Sequence, residues 1–339
     1  MSTIPQAAFG ASSPPQQVEP APVLSAGRTF RDVAVSALRQ PAGLVGFVII
    51  LVVVVVAVFA SVLAPYSPTA TDPGAVLAGP GNGHLLGTDD AGRDVLSRLM
   101  HGAGPALIVG TVAVIVGGIV GVALGVIAGY YRGFLETVIM RVCDVAFAFP
   151  LILIGICAVV VLGPGVVPVG LAVGIGVAPM FARLARAEVL EEMSRDYVLA
   201  SRGMGATSFW IVVKHVLPNI ATTLVVQMAT AISAAIVIAS ALDFLGMGTQ
   251  PPAPSWGNML QASRQYLANN PVFAISPGVI LTVFVLGVNL FAAALTNALN
   301  PRIRTKILRS RSVFARIRSR KTPAGSTATT EAITMRETP

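Results

Sequence analysis

Residues 197–219 read YVLASRGMGATSFWIVVKHVLPN, a polar two-helix pattern set between long hydrophobic runs. Ala200 sits five residues before Gly205, and Leu217-Pro218 follows twelve to thirteen residues after that glycine. Gly205 lacks a Cβ, so it can take the backbone angles that reverse a helix without steric cost. Phe209, Trp210, Val212 and Val213 then supply an apolar face, and Pro218 is expected to stop the second helix before the next run. Taken alone, the segment also fits an ordinary amphipathic helix at an interface.

The composition around this loop excludes a water-soluble domain. Hydrophobic residues make up 54% of the 339-residue chain and charged ones only 11%, too few to cover a soluble surface. The hydrophobicity is segmented into six runs, at roughly 43–64, 105–130, 134–162, 164–184, 219–245 and 272–298. Each is long enough to cross ~30 Å of hydrocarbon as a helix of ~20 residues. The expected fold class is therefore an all-α membrane protein with six transmembrane helices.

Basic residues orient it. With both termini in the cytoplasm, only Arg93, Arg98 and Arg264 of the 23 lysines and arginines fall outside, as the positive-inside rule requires. The run RIRTKILRSRSVFARIRSRK, from residue 302, accounts for much of the net charge of +8. Following a span, it suits anionic lipid head groups better than nucleic acid. Residues 1–27 and the end of the chain are rich in Pro, Ser, Ala and Thr and are expected to be disordered. The first apolar run reads as a retained span rather than a signal peptide.

The domain reading follows. Residues 1–27 form a disordered tail, 28–42 an interfacial amphipathic helix (Phe30, Val33, Val35 and Leu38 its apolar side), 43–304 the six-span body and 305–339 a basic, largely disordered tail. The body has external loops at 65–103 and 246–271 and a cytoplasmic loop at 185–218. In the first external loop, Thr88 is expected to cap a short helix, with Asp89–Arg93 and Asp94–Arg98 paired at i, i+4. His84 and His101 are too isolated to make a metal site. Trp256, in the second external loop, suits an interfacial belt. Gly117, Gly121, Gly125 and Gly129 recur every fourth residue, as do Gly170, Gly174, Ala178 and Ala182, and then Ala231, Ala235 and Ala239; such stripes let helices approach closely in lipid. Arg141 and Asp144 are spaced to neutralise each other within the third run. Cys143 and Cys157 lie too far apart on a straight helix for a disulfide. Asp243 has no basic residue within a helical turn and is a candidate for the translocation pathway, or else a hydrated interfacial acid.

Several segments together resemble one family. The loop at 197–218 resembles the cytoplasmic "EAA" loop of ABC importer permeases, although the usual acid is Leu199, the second Ala is Ser201 and the late Ile is His215. Leu86 to Leu99 match LGTD-x-x-GRDVLSRL, and Met140, Arg141, Asp144, Phe149 and Pro150 match MR-x-x-D-x-x-x-x-FP. Phe244 to Gly257 match FLG-x-G-x-QPP-x-PSWG, and Asn289, Leu290 and Pro301 match NL…NP. These lie in order over residues 30–304 and resemble the C-type permease of dipeptide, oligopeptide and nickel importers. The resemblance implies a type I ABC importer permease fold in a bacterial inner membrane. It also implies a B-type permease partner, two cytoplasmic ATPase subunits that use ATP and Mg, and an external substrate-binding protein. Ala200, Ser201, Gly205, Phe209, Trp210, His215, Leu217 and Pro218 would form the ATPase-coupling loop. Asp243, Asp144, Arg141 and Asn289 would be the polar groups within the membrane or along the pathway. The chain is expected to bind no cofactor, metal or nucleic acid and to catalyse no reaction: it has no G-x-x-x-x-G-K-[ST] loop and no nucleophile–His constellation. A secondary transporter would want buried acids and broken mid-membrane helices; a membrane scaffold or enzyme subunit is the third reading. The solute stays open among peptides, nickel chelates and glutathione, since Ala293, Thr296, Asn297 and Asn300 stand where relatives tend to carry charges.

Overall fold

The computed structural model describes residues 30–81 and 83–299; the expectations for 1–27 and 305–339 lie outside them. The helices are, in order, α1 (Phe30–Leu38), α2 (Pro41–Val58), α3 (Ala60–Leu63), α4 (Val95–Tyr131), α5 (Gly133–Ala148), α6 (Leu151–Leu162), α7 (Val166–Glu192), α8 (Asp196–Gly203), α9 (Ser208–Ile211), α10 (Leu217–Phe244), α11 (Trp256–Ser263) and α12 (Pro271–Leu299). Pairing of extended chain is limited, among the described residues, to two isolated bridges, Gly81 with His84 and Thr88 with Asp94.

Five stretches are long and apolar enough to cross a membrane: α2, α4, α7, the continuous stretch Ser208–Phe244, and α12. The expected third span differs. It is two helices, α5 and α6, meeting at 94°. Phe149 leaves the helix with extended angles, φ −92° and ψ 134°, because the ring of Pro150 disfavours a helical residue before it. The bent pair makes the sixth candidate span.

Two helix boundaries also depart from expectation. Thr88 does not begin a helix. The cap is Asp94, whose carboxylate accepts from the Ser97 N–H at 2.7 Å and the Ser97 hydroxyl at 2.6 Å, and α4 then runs 37 residues to Tyr131. Pro218 does not stop its helix either. Val212–Val216 form a π-turn in which the Leu217 N–H bonds the Val212 carbonyl. The wider turn absorbs the missing proline donor, so the chain stays helical from Ser208 to Phe244.

Packing follows the small-residue stripes. On α4, a Cβ at Gly121 would overlap the Ala178 carbonyl of α7, and one at Gly125 the Ala182 carbonyl. Across the same seam a Cβ at Gly170 would meet Val112. The two backbones thus touch along their length, the association expected where lipid gives no hydrophobic drive. Ala231, Ala235 and Ala239 of α10 are buried against this pair with Val173, Val177 and Phe181. By contrast α2 buries only Gly43 and Gly46, leaving Leu51, Val52 and Val58 exposed as a lipid-facing helix should. α1 lies across the end of α12, with Val33 and Ala37 buried against Ala294, Leu295 and Ala298; Val35, expected on the apolar side, is exposed.

Candidate functional site

The bundle has two ends. α4 and α12 begin at one, called the head, which carries residues 65–94 and 245–270; α7 finishes and α10 starts at the other, which carries the 197–219 loop.

In the loop, α8 closes through Met204 N–H to Ala200 O at 3.0 Å and Ala206 N–H to Ser201 O at 3.1 Å. Gly205 makes the turn at φ +86°, a left-handed conformation that costs an ordinary residue ~1–2 kcal/mol. Thr207 caps α9, its hydroxyl accepting from the Trp210 N–H. One side of this hairpin is anchored: Val198, Ile211 and Val216 are buried with Ala185, Val189, Met193 and Ile220. The other side is bare. Met204 is 82% exposed and Phe209 78%, with Leu199, Trp210 and Val213 also exposed, and a shallow groove of about 390 Å³ opens between Ser201, Met204, Gly205, Ala206, Thr207 and Trp210. Val212 is half-buried and contributes less to the exposed face than expected.

A polar hub holds the hairpin to the bundle. Glu192, buried at the end of α7, binds Arg195 at 2.8 Å and accepts from the Asn219 amide at 2.9 Å. The same amide faces the Tyr197 hydroxyl at 2.8 Å and the His215 carbonyl at 2.7 Å. Above it, His215 stands edge-on to the rings of Tyr197 and Trp210, with Nε2 3.4 Å from the Ser201 hydroxyl. Sequence reading found Ser201 and His215 singly but not that they meet, and it missed Glu192 and Asn219. The available signal was an acid at the close of an apolar span and an amide directly after Leu217-Pro218.

The four polar candidates are not brought together. Asp144 pairs with Arg183 of α7 at 2.7 Å, not with Arg141, because the break at Pro150 turns α5 across α7. Its neighbour Glu136 takes Arg186, with Nε at 2.6 Å. Arg141 and Asn289 are exposed, on α5 and α12. Asp243 sits at the head end of α10 and accepts from the Thr249 N–H at 2.9 Å, so its partners come from its own chain rather than from water or lipid head groups alone.

The head is a network of buried charge. Asp89 binds Arg93 at 2.7 Å and Arg98 at 3.2 Å. Asp94 takes His84 at 2.9 Å instead of Arg98. Arg98 donates onward to the carbonyls of Pro68 at 2.9 Å and Pro252 at 3.1 Å, joining the two head segments. Trp256 is not an interfacial residue: it is 2% exposed and its indole N–H donates to Leu99 O at 2.9 Å, fitted against Gly102.

Comparison with known proteins agrees along the chain. The family model described as binding-protein-dependent transport system inner membrane component matches residues 121–305, and that of the N-terminal TM domain of oligopeptide transport permease C matches 29–80. The glutathione transport system permease protein of Pectobacterium atrosepticum is 38% identical over 79% of this chain and 89% of its own. The di/tripeptide transport system permease protein of Pseudomonas aeruginosa is 37% identical over 86% of this chain and 96% of its own. Among solved structures, an inward-facing MetNI methionine ABC transporter chain aligns at a TM-score of 0.50 and 21% identity, covering 60% of this chain and 96% of that one, a likeness of fold.

Proposed function

The chain belongs to the family of binding-protein-dependent transport system inner membrane components and is a permease subunit of an ABC importer; on that premise we propose that it forms half of a translocation pathway for peptides or a related small solute such as glutathione. The substrate class rests on the solutes for which its relatives are named, glutathione and di- and tripeptides. The partners are a B-type permease, two ATPase subunits that bind ATP and Mg, and an external binding protein, all at a bacterial cytoplasmic membrane. The termini and the 197–218 loop face the cytoplasm, and the head faces outward.

The observation that carries the mechanism is the bare apolar side of the 197–219 hairpin on a fixed base. Met204, Phe209, Trp210 and Val213 are exposed although this end of the chain would lie beyond the hydrocarbon, and an exposed apolar patch of this kind marks a protein contact. The Glu192–Asn219–Tyr197 hub and the continuous helix through Pro218 make the hairpin one body with α7 and α10. Closure of the ATPases would then move both helices. Arg141 and Asn289, exposed in the single chain, are the polar groups that would face the pathway or the second permease.

Gly205→Trp tests this. No atom lies within 4 Å of a Cβ placed there, so apart from ~1–2 kcal/mol of left-handed backbone strain a tryptophan would project over the groove rather than enter the core. Uptake of radiolabelled dipeptide and glutathione is expected to vanish while the protein stays in the membrane. Normal uptake at normal expression would refute docking. Orientation is checked separately in a background with Cys143 and Cys157 replaced by serine. Single cysteines at Ala70 and Ala268 are expected to react with an impermeant thiol reagent in intact cells, and one at Ser326 not to.

A further inference from the structure

The notable feature of Asp243 is what has been cleared away around it. A Cβ at Gly248 would overlap the Asp243 carboxylate, and a Cβ at Gly257 would overlap Asp243 Cβ and crowd the Ser240 carbonyl. Two bare positions in the segment after α10 thus let it fold tightly over this one side chain. Gly248 has an ordinary backbone conformation, since the positive-φ glycines do not include it; space, not torsion, is what it supplies. The carboxylate fills that space and accepts from the Thr249 N–H at 2.9 Å. Asn258 then holds the far side of the turn, its amide donating to Thr249 O at 3.2 Å and Ala253 O at 2.9 Å. The turn is also fixed to the start of α4, by Arg98 to Pro252 O and Trp256 to Leu99 O.

These contacts sit at one end of a helix whose other end carries the hairpin. The stretch Ser208–Phe244 has 37 residues, about 55 Å at 1.5 Å per residue. We propose that Asp243 is a positioning residue: it clasps the 245–257 turn to the outer end of α10, so that movement begun at the 197–218 hairpin reaches the head, and binding-protein contact at the head reaches the ATPases. This reading rests on the docking of the hairpin and adds the outer half of the connection. It replaces the pathway role for Asp243, whose carboxylate is committed to the turn.

The test uses the assembled importer, purified with both permeases and its ATPase subunits, and follows ATP hydrolysis with and without its own external binding protein. Asp243→Ala is expected to leave membrane level, co-purification with the ATPases and unstimulated hydrolysis within twofold of native, while stimulation by the binding protein falls at least tenfold. Native stimulation in this variant would overturn the clasp. Gly248→Ala is a second route to the same end, because its methyl group competes with the carboxylate for one space. It should lose stimulation by itself, and the double variant should be no worse than Asp243→Ala. A harmless Gly248→Ala, or additive losses, would also overturn the proposal. Failure of the docking reading looks different: Gly205→Trp would then retain ATPase association and uptake, and the clasp, which depends on docking, would fall with it.

Discussion

The two ends of this bundle both satisfy their buried polar groups within the chain, but they treat their largest apolar side chains differently. At the head, Asp89, Asp94 and Arg98 are almost wholly buried and each meets a partner from the same chain, while the largest apolar side chain, Trp256, is enclosed and hydrogen-bonded. At the other end the polar hub around Glu192 is likewise satisfied, yet Met204, Phe209 and Trp210 stand open beside it. A buried charge needs its partner within the fold, because an unpaired one is costly. An exposed apolar face on a rigid base can wait for a partner from another chain. The head therefore encloses its largest ring within the chain, although Leu85 and Leu267 stay exposed there, whereas the loop end leaves its large side chains Met204, Phe209 and Trp210 open to another chain.

Substitutions can break that contrast, and the largest effect on stability belongs to the head. Trp256→Ala removes a buried ring and frees the Leu99 carbonyl; large-to-small changes at such sites cost ~3–5 kcal/mol. A clear fall in the unfolding temperature of the purified complex is expected, and an unchanged temperature would mean the head is looser than its contacts imply. Asn219→Ala should cost less, on the order of 1–3 kcal/mol, by taking a donor from the buried Glu192. Its uptake defect should exceed its effect on membrane level, since the hairpin would lose its tie to α7; equal losses would make Asn219 a stability residue only. Phe209→Ala should change stability least, within about 0.5 kcal/mol as for an exposed site. It is nonetheless expected to weaken co-purification of the ATPase subunits, and unchanged co-purification would remove Phe209 from the contact.

The contrast also explains what the sequence made legible. The spans and the loop were readable because their signals are local: an apolar run, a glycine at a turn, a stripe repeating every fourth residue. Even the α4–α7 seam was announced by Gly121 and Gly125, though not which helix would meet them. The head was harder because, beyond the expected Asp89–Arg93 pair at i, i+4, its partners do not follow helical spacing. Asp94 lies four residues from Arg98 but takes His84, and Arg98 reaches back to Asp89, choices settled only once α4 begins at Val95. Asp144 is spaced for Arg141 yet meets Arg183, 39 residues on, since Pro150 turns α5 across α7. Proline was the least legible residue. Pro150 breaks a run that hydropathy leaves continuous, whereas Pro218 is absorbed by a π-turn and Pro105, Pro179 and Pro277 lie inside helices.

The docking of the hairpin is tested most directly by proximity. With Cys143 and Cys157 replaced by serine, single cysteines at Met204 on the hairpin and Ala253 on the head can be joined to neighbouring chains by a short thiol cross-linker in native membranes. Met204→Cys is expected to capture an ATPase subunit, with a yield that changes when ATP is bound, and Ala253→Cys to capture no ATPase. Capture of the ATPase from Ala253, or from neither position, would contradict that docking.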